Sequence, residues 1–231
     1  MREILVTLDI ETTGLENPDV VQLAAISGNG KVLINSMCIP NKPIEPDASA
    51  VHGVFKEDVV GFPESKTLVG HLSLLLYALG ENSKVITSGY NTLSFDLPVL
   101  YKINPDIKDQ CVHHIDVYVI VLRYLSQYGT KLVDVYENYC AGDASNAHDA
   151  SADCRFTNEV LAKFMLEKGW TYSDVLKDLS KPRAYHTMPF GKHQGIPVKD
   201  VPRQYIRWAN NNWTDKSPDM QATFDSVLKR R

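Results

Sequence analysis

The first part of the chain alternates short apolar runs with turn-forming residues. Ile4–Ile10 is too short for a helix and predicts a buried β-strand. Val20–Ser27 and Lys31–Ile39 are two further apolar segments, separated by the turn signal Gly28-Asn29-Gly30. These three segments together predict an antiparallel meander. The stretch from Pro40 to Pro46, with three prolines, predicts a loop.

The middle of the chain alternates strand patterns with helical periodicity. Two more strands are predicted, over Val85–Ser88 and Cys111–Ile115. The predicted helices cover Val54–Val59, Glu64–Leu79, Ser94–Ile103, Val117–Leu125, Leu132–Tyr139, a helix capped by Asp149 that runs to Lys168, and a short helix opened by the capping box Thr171–Asp174. A meander followed by strand–helix alternation predicts an α/β fold with a mixed five-stranded sheet flanked by helices.

Composition is that of an ordinary globular protein, with 44% hydrophobic and 23% charged residues. No apolar run approaches the roughly 20 residues that cross a bilayer, and no signal-peptide pattern follows Met1. We therefore expect a cytoplasmic protein without a membrane partner. The four widely spaced cysteines predict reduced core residues. A zinc site at Cys111, beside His113 and His114, is disfavoured because a second Cys/His cluster is missing.

Charge is distributed unevenly along the chain. Residues 181–231 contain ten basic and four acidic side chains, a net charge of +6, which leaves −10 on residues 1–180. This asymmetry predicts different tasks for the two parts. We expect a main domain over residues 1–168, a connecting helix or linker over 169–180, and a small basic module over 181–231.

The first candidate for chemistry is the tripeptide Asp9-Ile10-Glu11. In a strand, residues i and i+2 point to the same face, so both carboxylates project together from the strand end. Two adjacent anions repel unless a cation lies between them, and oxygen ligands suit Mg²⁺ or Mn²⁺. The tripeptide alone also fits a solvated strand end. The longer string that continues through Thr12, Thr13, Gly14 and Leu15 is more specific, because Gly14 permits a tight turn beside the carboxylates.

Two further polar elements follow predicted strands or open predicted helices. In Asn91-Thr-Leu-Ser-Phe95-Asp96, with Ser94 as the expected cap, Asp96 falls in the first turn of a helix, where the dipole favours an ionised carboxylate. In His148-Asp-Ala-Ser-Ala-Asp153, Asp153 lies one turn inside a helix, and His148 lies on the loop before it. A histidine with a pKa near 6.5 suits general-base catalysis at neutral pH. A helix-stabilising aspartate and a polar loop histidine are the alternatives for the isolated elements.

Taken together, the three elements resemble the DnaQ-like, or DEDDh, 3′→5′ exonucleases, which have an RNase H-like fold. Asp9 and Glu11 match the first acidic pair of the family, Asp96 the aspartate of its second motif, and His148 and Asp153 its HxAxxD motif. The histidine subfamily is indicated because the other subfamily has tyrosine where this chain has Asp149.

The resemblance implies a mechanism and a set of substrate contacts. The four carboxylates would hold two Mg²⁺ ions, with Mn²⁺ able to substitute, and His148 would act as general base with one metal. The substrate-binding residues implied by the motifs and their neighbourhood are Thr12, Thr13, Gly14, Leu15, His52, Asn91 and Phe95. A structural role for His52 is an equal alternative.

The C-terminal segment also shows a resemblance. Phe190-Gly-Lys192-His-Gln-Gly195, with Tyr205-Ile-Arg-Trp208 downstream, is similar to the end of the exodeoxyribonuclease X subfamily. We expect Lys192, Arg203, Arg207 and the terminal Lys229-Arg230-Arg231 to contact phosphates. We expect Phe190, Tyr205 and Trp208 to form the core of the module rather than to stack bases, because a fifty-residue unit needs apolar burial.

The resemblance implies a 3′→5′ exodeoxyribonuclease that releases nucleoside 5′-monophosphates from DNA with an accessible 3′ end. An exoribonuclease or oligoribonuclease on the same scaffold is an alternative, since it would share all five catalytic residues. A proofreading subunit bound to a polymerase, or a non-catalytic nucleic-acid-binding module, are others, although none of the four carboxylates is missing. The motifs leave open whether the chain forms a homodimer.

Overall fold

A computed structural model describes residues 2–229, so the predicted phosphate contacts of Arg230 and Arg231 lie outside the described residues. The strands are β1 Arg2–Thr12, β2 Val20–Ser27, β3 Val32–Met37, β4 Ser83–Gly89 and β5 His114–Asp116. They form one sheet in the order β3-β2-β1-β4-β5. β1 pairs antiparallel with β2 and parallel with β4, and β4 pairs parallel with β5. The predicted meander and the mixed five-stranded sheet are confirmed.

Ten α-helices connect and flank these strands within the described residues. They are α1 Pro46–His52, α2 Ser65–Gly80, α3 Asp96–Ile103, α4 Asp106–Gln110, α5 Val117–Ile120, α6 Leu132–Val135, α7 Ala150–Lys168, α8 Tyr172–Leu179, α9 Arg203–Asn212 and α10 Pro218–Leu228. Two π-helical turns, Val121–Leu125 and Tyr136–Cys140, extend α5 and α6. Asp149 caps α7, Gly169 ends it in a left-handed conformation, and Thr171 and Asp174 form a capping box on α8, as predicted.

The helix predicted over Val54–Val59 is wrong, because that segment forms turns. The helix lies earlier, at α1, which begins at Pro46, the last residue of the predicted proline-rich loop. Pro46 occupies the first helical turn, where a missing N–H is tolerated and the fixed φ is favourable. The left-handed Gly53, with φ of 72°, then ends the helix before Val54.

Two other predicted boundaries are corrected by the structure. Phe95, not Ser94, is the residue that precedes α3, and it makes no side-chain capping bond. Asp96 nevertheless lies in the first helical turn, as expected. The fifth strand is three residues long, because α4 occupies the chain up to Gln110 and Cys111 ends that helix.

Side chains alternate across β1 and divide the core into two layers. Val6, Leu8 and Ile10 point toward α2 and α3, where they join an aliphatic core with Leu72 and Leu100. Leu5 points to the opposite layer, which is covered by α5 to α8. Asp9 and Glu11 share the face of Leu5, so the carboxylates at the end of β1 project toward α7.

The C-terminal segment has a core of its own. Its buried residues are Tyr185, Met188, Val198, Val201, Ile206, Ala209, Met220 and Phe224, joined by Leu122 from the main body. Arg123 is 2% exposed and donates to the Asp219 carboxylate at 2.6 and 2.8 Å, which fastens α10 to the helical layer. The limits 1–168, 169–180 and 181–231 remain predictions.

The prediction that Phe190, Tyr205 and Trp208 form the core of this module is wrong for two of the three rings. Phe190 is 46% and Trp208 is 53% exposed, and only Tyr205 is half-buried against the core. Tyr185, Phe224 and the aliphatic residues supply the burial instead. The module therefore forms a hydrophobic core without burying Phe190 or Trp208.

Candidate active site

Three carboxylates converge at the end of β1. One oxygen atom from each of Asp9, Glu11 and Asp153 lies within 4.8 Å of the other two. The strand period of two places Asp9 and Glu11 on the face covered by α7, and Asp153 lies in the first turn of that helix. Asp149 fixes the start of α7, since its side chain accepts a hydrogen bond from the Ala152 N–H at 2.9 Å.

Asp96 approaches the same strand end from the other layer. Its Oδ1 accepts a hydrogen bond from the Ile10 N–H at 3.1 Å, and Ile10 lies between the two carboxylates of β1. The Asp96 carboxylate is outside the group of three that shares the 4.8 Å radius. It is close enough that its charge is the second largest cause, after burial, of the raised Asp9 pKa.

The site holds more negative charge than its surroundings stabilise. Burial raises the pKa of Glu11 to about 8 and that of Asp96 to about 7. Burial and repulsion by Asp96 and Asp153 raise the pKa of Asp9 well above its ordinary value. Burial raises the pKa of Asp153 to about 6, against the opposing influence of the charge and backbone N–H of His148. Protein groups alone thus disfavour full ionisation at neutral pH.

The donor set fits a divalent cation. Within residues 2–229, the buried Asp153 Oδ1 has no hydrogen-bond partner, although buried polar atoms are nearly always paired. The convergent ligand atoms are all carboxylate oxygens, which suit Mg²⁺ or Mn²⁺ better than softer metals. A bound cation would satisfy the unpaired oxygen and offset the mutual repulsion of the carboxylates.

His148 and His52 stand beside this cluster with different constraints. His148 is exposed on the loop before α7, in the left-handed conformation with φ of 67°. His52 ends α1, where its Nδ1 accepts from the Val54 N–H at 3.0 Å and its Nε2 lies 3.2 Å from the Thr12 carbonyl. This pattern makes Nε2 the donor of a neutral ring, and burial lowers the pKa of His52 further from its ordinary value. Both ring nitrogens of His52 are therefore engaged in hydrogen bonds to the backbone.

A cleft of 420 Å³ opens next to Glu11. Of the predicted substrate-binding residues it is lined by Thr12, Gly14, Leu15, His52 and Phe95. Leu15 is 84% exposed at this cleft. The carboxylate of Glu45 packs so closely on Gly14 that a Cβ there would lie 2.3 Å from the Glu45 carboxyl carbon, which explains the glycine.

Two predicted substrate-binding residues lie outside the lining of this cleft. The Thr13 side chain is buried, and its hydroxyl accepts from the Asp19 N–H at 3.0 Å, which closes the loop after β1. Asn91 has a left-handed backbone with φ of 59°, and its N–H donates to Asp116 Oδ1 at 2.9 Å. The structure therefore gives Thr13 and Asn91 roles in holding loops.

Sequence reasoning missed Asp116. This buried residue at the end of β5 accepts hydrogen bonds from the N–H groups of Asn91, Leu93 and Tyr118 at 2.9, 3.1 and 3.0 Å. It thus fastens the loop that leads to Asp96. An acid directly after the apolar run of the fifth strand was the available signal, but the prediction ended that strand one residue earlier.

The basic residues predicted to contact phosphates are all on the C-terminal segment. Lys192 and Arg207 are exposed. Arg203 is also exposed, but one of its N–H groups donates to the Leu228 carbonyl at 2.8 Å, at the end of α10. A cation at that position stabilises the helix dipole, so Arg203 has a structural contact as well.

His114, one of the residues weighed as a zinc ligand, contacts two threonine hydroxyl groups. Its two ring nitrogens lie 3.0 and 2.8 Å from the hydroxyls of Thr87 and Thr92. The metal-compatible group found in the described chain is the carboxylate group above. All four cysteines are free, as expected.

The family model described as "Exonuclease" matches residues 6–161, about two thirds of the chain, and includes every residue of the carboxylate site. The chain belongs to the DnaQ-like exonuclease family. A second model, described as "Putative quorum-sensing-regulated virulence factor", matches residues 176–215 of this exonuclease. That match covers α9 and the turn around Phe190.

One curated relative aligns over nearly the whole chain, and another over about two thirds of it. Exodeoxyribonuclease 10 of Escherichia coli strain K12 is 25% identical over 233 residues, which covers 96% of this chain and 97% of the relative. An uncharacterized exonuclease, CP81, of Escherichia phage 186 is 28% identical over 161 residues, 65% of this chain and 82% of the relative.

Solved structures match the fold of this exonuclease. Exonuclease X in complex with 5′-overhanging duplex DNA has a TM-score of 0.57 at 21% identity, covering 74% of this chain and 99% of that one. Escherichia coli exonuclease I bound to single-stranded DNA has a TM-score of 0.60 at 20% identity over 77% of this chain. The match spans 43% of exonuclease I, which is a longer protein. The predicted RNase H-like fold is confirmed.

Across residues 2–229 there is no helix with the length and apolar character needed to span a bilayer.

Proposed function

We propose that this exonuclease removes nucleotides one at a time from the 3′ end of DNA and releases nucleoside 5′-monophosphates. The single observation that carries the proposal is the convergence of Asp9, Glu11 and Asp153 within 4.8 Å, with one oxygen of Asp153 buried and unpaired among the described residues. A DNA substrate is supported by the exodeoxyribonuclease that aligns over 96% of the chain. The 3′→5′ direction is supported by the match of all five residues to the DEDDh pattern.

Asp9, Glu11, Asp96 and Asp153 would hold two divalent metal ions, Mg²⁺ or Mn²⁺. When bound, such ions lower the pKa of water and stabilise the developing charge on the departing oxygen. The four side chains carry up to four negative charges, which repel a phosphodiester unless cations offset them. The acidic residues Glu16, Glu45 and Asp47, which also line the cleft, strengthen this dependence.

The protein's own residues divide the remaining tasks. His148 accepts the proton of the attacking water, because its ring is exposed and lies close enough to Asp153 to influence the pKa of that carboxylate. The cleft lined by Thr12, Leu15 and Phe95 receives the terminal nucleoside. His52 holds the cleft wall through the Thr12 carbonyl and takes no part in proton transfer.

The test is a single-turnover assay on 5′-labelled oligonucleotides with Mg²⁺. Single-stranded DNA, duplex DNA and RNA of matched sequence are digested side by side by the wild type, Asp9→Ala and His148→Ala. Digestion from the 3′ end gives a ladder of shortening labelled products, whereas digestion from the 5′ end gives labelled mononucleotide at once. Near-normal rates in both variants would refute the assigned site, and a preference for RNA would replace DNA as the substrate.

A further inference from the structure

Four aromatic side chains form a continuous row on the C-terminal segment. Phe190 stacks on Trp213 with ring centroids 5.2 Å apart, Trp213 meets Tyr205 edge-on at 6.4 Å, and Tyr205 lies 5.7 Å from Trp208. We call these four residues the aromatic row. The two end members are 46% and 53% exposed, whereas the middle two are half-buried. Neither exposed end is needed to complete the core of the module.

The middle of the aromatic row packs on the core of the module. Trp213 packs on the fully buried Phe224 at 5.5 Å, which anchors the middle of the row to the core. On α9, the spacing of Tyr205 and Trp208 places both rings on one stripe, while Ile206 and Ala209 face the core. Rings that are fixed in position lose little conformational entropy when a flat partner stacks on them.

A turn with one required glycine sets the position of Phe190. Gly191 has φ of 80°, which a residue with a side chain rarely adopts. A Cβ at that position would also lie 3.2 Å from the Tyr205 hydroxyl. The turn is closed by the hydrogen bond from Gly195 N–H to the Met188 carbonyl at 2.9 Å. Phe190 is therefore presented by a defined turn rather than by a loose loop.

The charge around the row is complementary to a polyanion. The described part of the module, residues 181–229, has eight basic and four acidic side chains, a net charge of +4, and the exposed Lys192 and Arg207 directly follow Gly191 and Ile206 in sequence. The cleft beside the carboxylates is acidic by contrast, with Glu11, Glu16, Glu45 and Asp47 in its lining. A nucleic acid strand that enters the acidic cleft gains little from phosphate contacts there. A second contact region on the basic module would supply them.

The module adjoins the β5 edge of the sheet, and the active site lies at the end of the central strand β1 of the same sheet. Tyr118, two residues after the end of β5, packs against the module core and also meets Tyr90 edge-on at 5.6 Å. Tyr90 directly precedes Asn91, at the start of the loop that leads to Asp96. Tyr118 therefore contacts both the module core and the residue that precedes the loop leading to Asp96.

We infer that the aromatic row is a second binding site for the substrate, where bases of the single-stranded segment upstream of the cleaved end stack on Phe190 and Trp208. The inference rests on the proposed function, because it takes the strand in the active site to continue to the module. Lys192 and Arg207 contact the phosphates between the stacked bases. Stacking on aromatic side chains tolerates every base, so the site grips the strand without selecting a sequence.

The test compares two ligands that differ only in bases. One is a thymidine oligonucleotide of about 30 nucleotides, long enough for two contact regions of roughly 4–16 nucleotides each. The other has the same phosphates, but abasic units replace all nucleotides except those near the 3′ end. Binding is measured by fluorescence anisotropy in EDTA, with intact ligand verified afterwards. The wild type is expected to bind the intact strand roughly five- to a hundredfold more tightly than the abasic one.

Phe190→Ala and Trp208→Ala should each remove much of this difference in affinity, whereas Trp208→Tyr, which keeps an aromatic ring, should retain it. Neither aromatic variant should change the salt dependence of binding. Lys192→Gln and Arg207→Gln should each lower the slope of log Kd against log salt by about 0.7, the value for one phosphate contact on a single strand. Tyr77→Ala is the matched control, because Tyr77 is a 63% exposed ring on α2, outside the module.

A small substrate separates failure of this inference from failure of the proposed function. The p-nitrophenyl ester of thymidine 5′-monophosphate occupies the active site but cannot reach the module. Phe190→Ala and Trp208→Ala should leave kcat/KM for this ester unchanged and raise KM for the long strand. If the wild type cleaves neither the ester nor the strand, the proposed function itself is refuted.

Two results would overturn the inference while leaving the nuclease intact. One is equal affinity of the wild type for the intact and abasic strands. The other is a wild-type dimer that Trp208→Ala converts to a monomer with unchanged strand affinity, which would make the aromatic row a contact between two copies of this chain.

Discussion

The Asp96 carboxylate accepts a hydrogen bond from the Ile10 N–H at 3.1 Å, across two sequence elements that lie 86 positions apart. Ile10 itself points into the aliphatic layer, and its neighbours Asp9 and Glu11 point toward α7. The bond therefore fixes the start of α3 to the centre of the acidic tripeptide. It gives Asp96 a structural contact in addition to its proposed role at the metals.

Substitutions at Asp96 should separate these two roles. Asn retains an oxygen acceptor for the Ile10 N–H, so Asp96→Asn should fold with wild-type stability or better, since it also removes a buried charge. Ala leaves that N–H unpaired, which costs about 1–3 kcal/mol of unfolding free energy. Both variants should lose more than about a hundredfold in single-turnover rate. Equal stability of Asp96→Ala and Asp96→Asn in thermal unfolding would contradict the structural role.

The raised carboxylate pKa values make the stability of the metal-free protein depend on pH. Because the folded pKa of Glu11, about 8, lies above the ordinary value of 4.5, protonated Glu11 stabilises the fold fully at pH values below 4.5. That contribution is lost as pH rises toward and through 8. In EDTA, unfolding free energy should therefore fall between about pH 5 and pH 9.

Glu11→Gln tests the origin of this dependence. The variant should be more stable than the wild type in EDTA at pH 8, by on the order of 2 kcal/mol after allowance for solvent screening, and equal to it near pH 4. Mg²⁺ should stabilise the wild type more at pH 8 than at pH 5, because cation binding requires the ionised form. A wild-type stability in EDTA that rises from pH 5 to pH 9 relative to Glu11→Gln would contradict the assignment.

The site could be predicted from the sequence where local rules place the side chains. The strand period put Asp9 and Glu11 on one face, and Asp149 marked the start of α7 and thus the position of Asp153. For Asp116 the local signal is limited to an acid after an apolar run and does not reveal its role, because its three partners come from a loop 23 to 25 residues earlier and from Tyr118. Long-range backbone contacts leave no periodic signal.

The errors in the fold have similar causes. The sequence pattern does not predict the helix at Pro46–His52, because closely spaced prolines are typical of loops, although Pro46 stands at a helix start, where proline is favourable. In the C-terminal module, apolar character alone could not show which rings are buried. Met188, Val198 and Ile206 fill the space around Phe224, and Phe190 and Trp208 remain outside.

Loss of the Asp116 carboxylate should loosen the loop that positions Asp96. Asp116→Ala leaves three backbone N–H groups without an acceptor and should lower unfolding free energy by about 2–4 kcal/mol. The single-turnover rate should fall about 10- to 100-fold, as for groups that orient catalytic residues. The exposed Asp109→Ala serves as the control. Addition of Mg²⁺ at high concentration should recover part of the rate in Asp116→Ala, and a fully normal rate without it would argue against the positioning role.

The two histidines near the site should respond in opposite ways to substitution. His148→Ala should lose about 10²–10⁴-fold in rate with little change in stability, because the ring is exposed. His52→Ala breaks the contacts to Val54 and Thr12 and should lower stability by about 1–3 kcal/mol, with a much smaller loss of rate. Thermal unfolding and single-turnover cleavage measure both effects. A larger rate loss in His52→Ala than in His148→Ala would mean that His52 is the general base and that His148 is not.

The buried Arg123 connects three parts of the structure. Its guanidinium pairs with Asp219 of α10 at 2.6 Å and with Asp178 of α8 at 3.1 Å, and it also donates to the Lys181 carbonyl at 3.0 Å. Arg123→Met removes the cation but leaves both carboxylates in place and largely buried. Breaking a buried pair in this way costs about 3–5 kcal/mol, far more than the pair itself contributes.

Arg183 supplies the matched control, since it also pairs with Asp178, at 2.7 Å, but its side chain is 52% exposed. Arg183→Met should lower unfolding free energy by less than about 1 kcal/mol. Arg123→Met should in addition make the segment after Leu179 sensitive to limited proteolysis, because the ion pairs hold α10 against the helical layer. Its activity on the p-nitrophenyl ester of thymidine 5′-monophosphate should persist if the carboxylate site folds without the module. Equal losses of stability in the two arginine variants would mean that the buried network does not anchor α10.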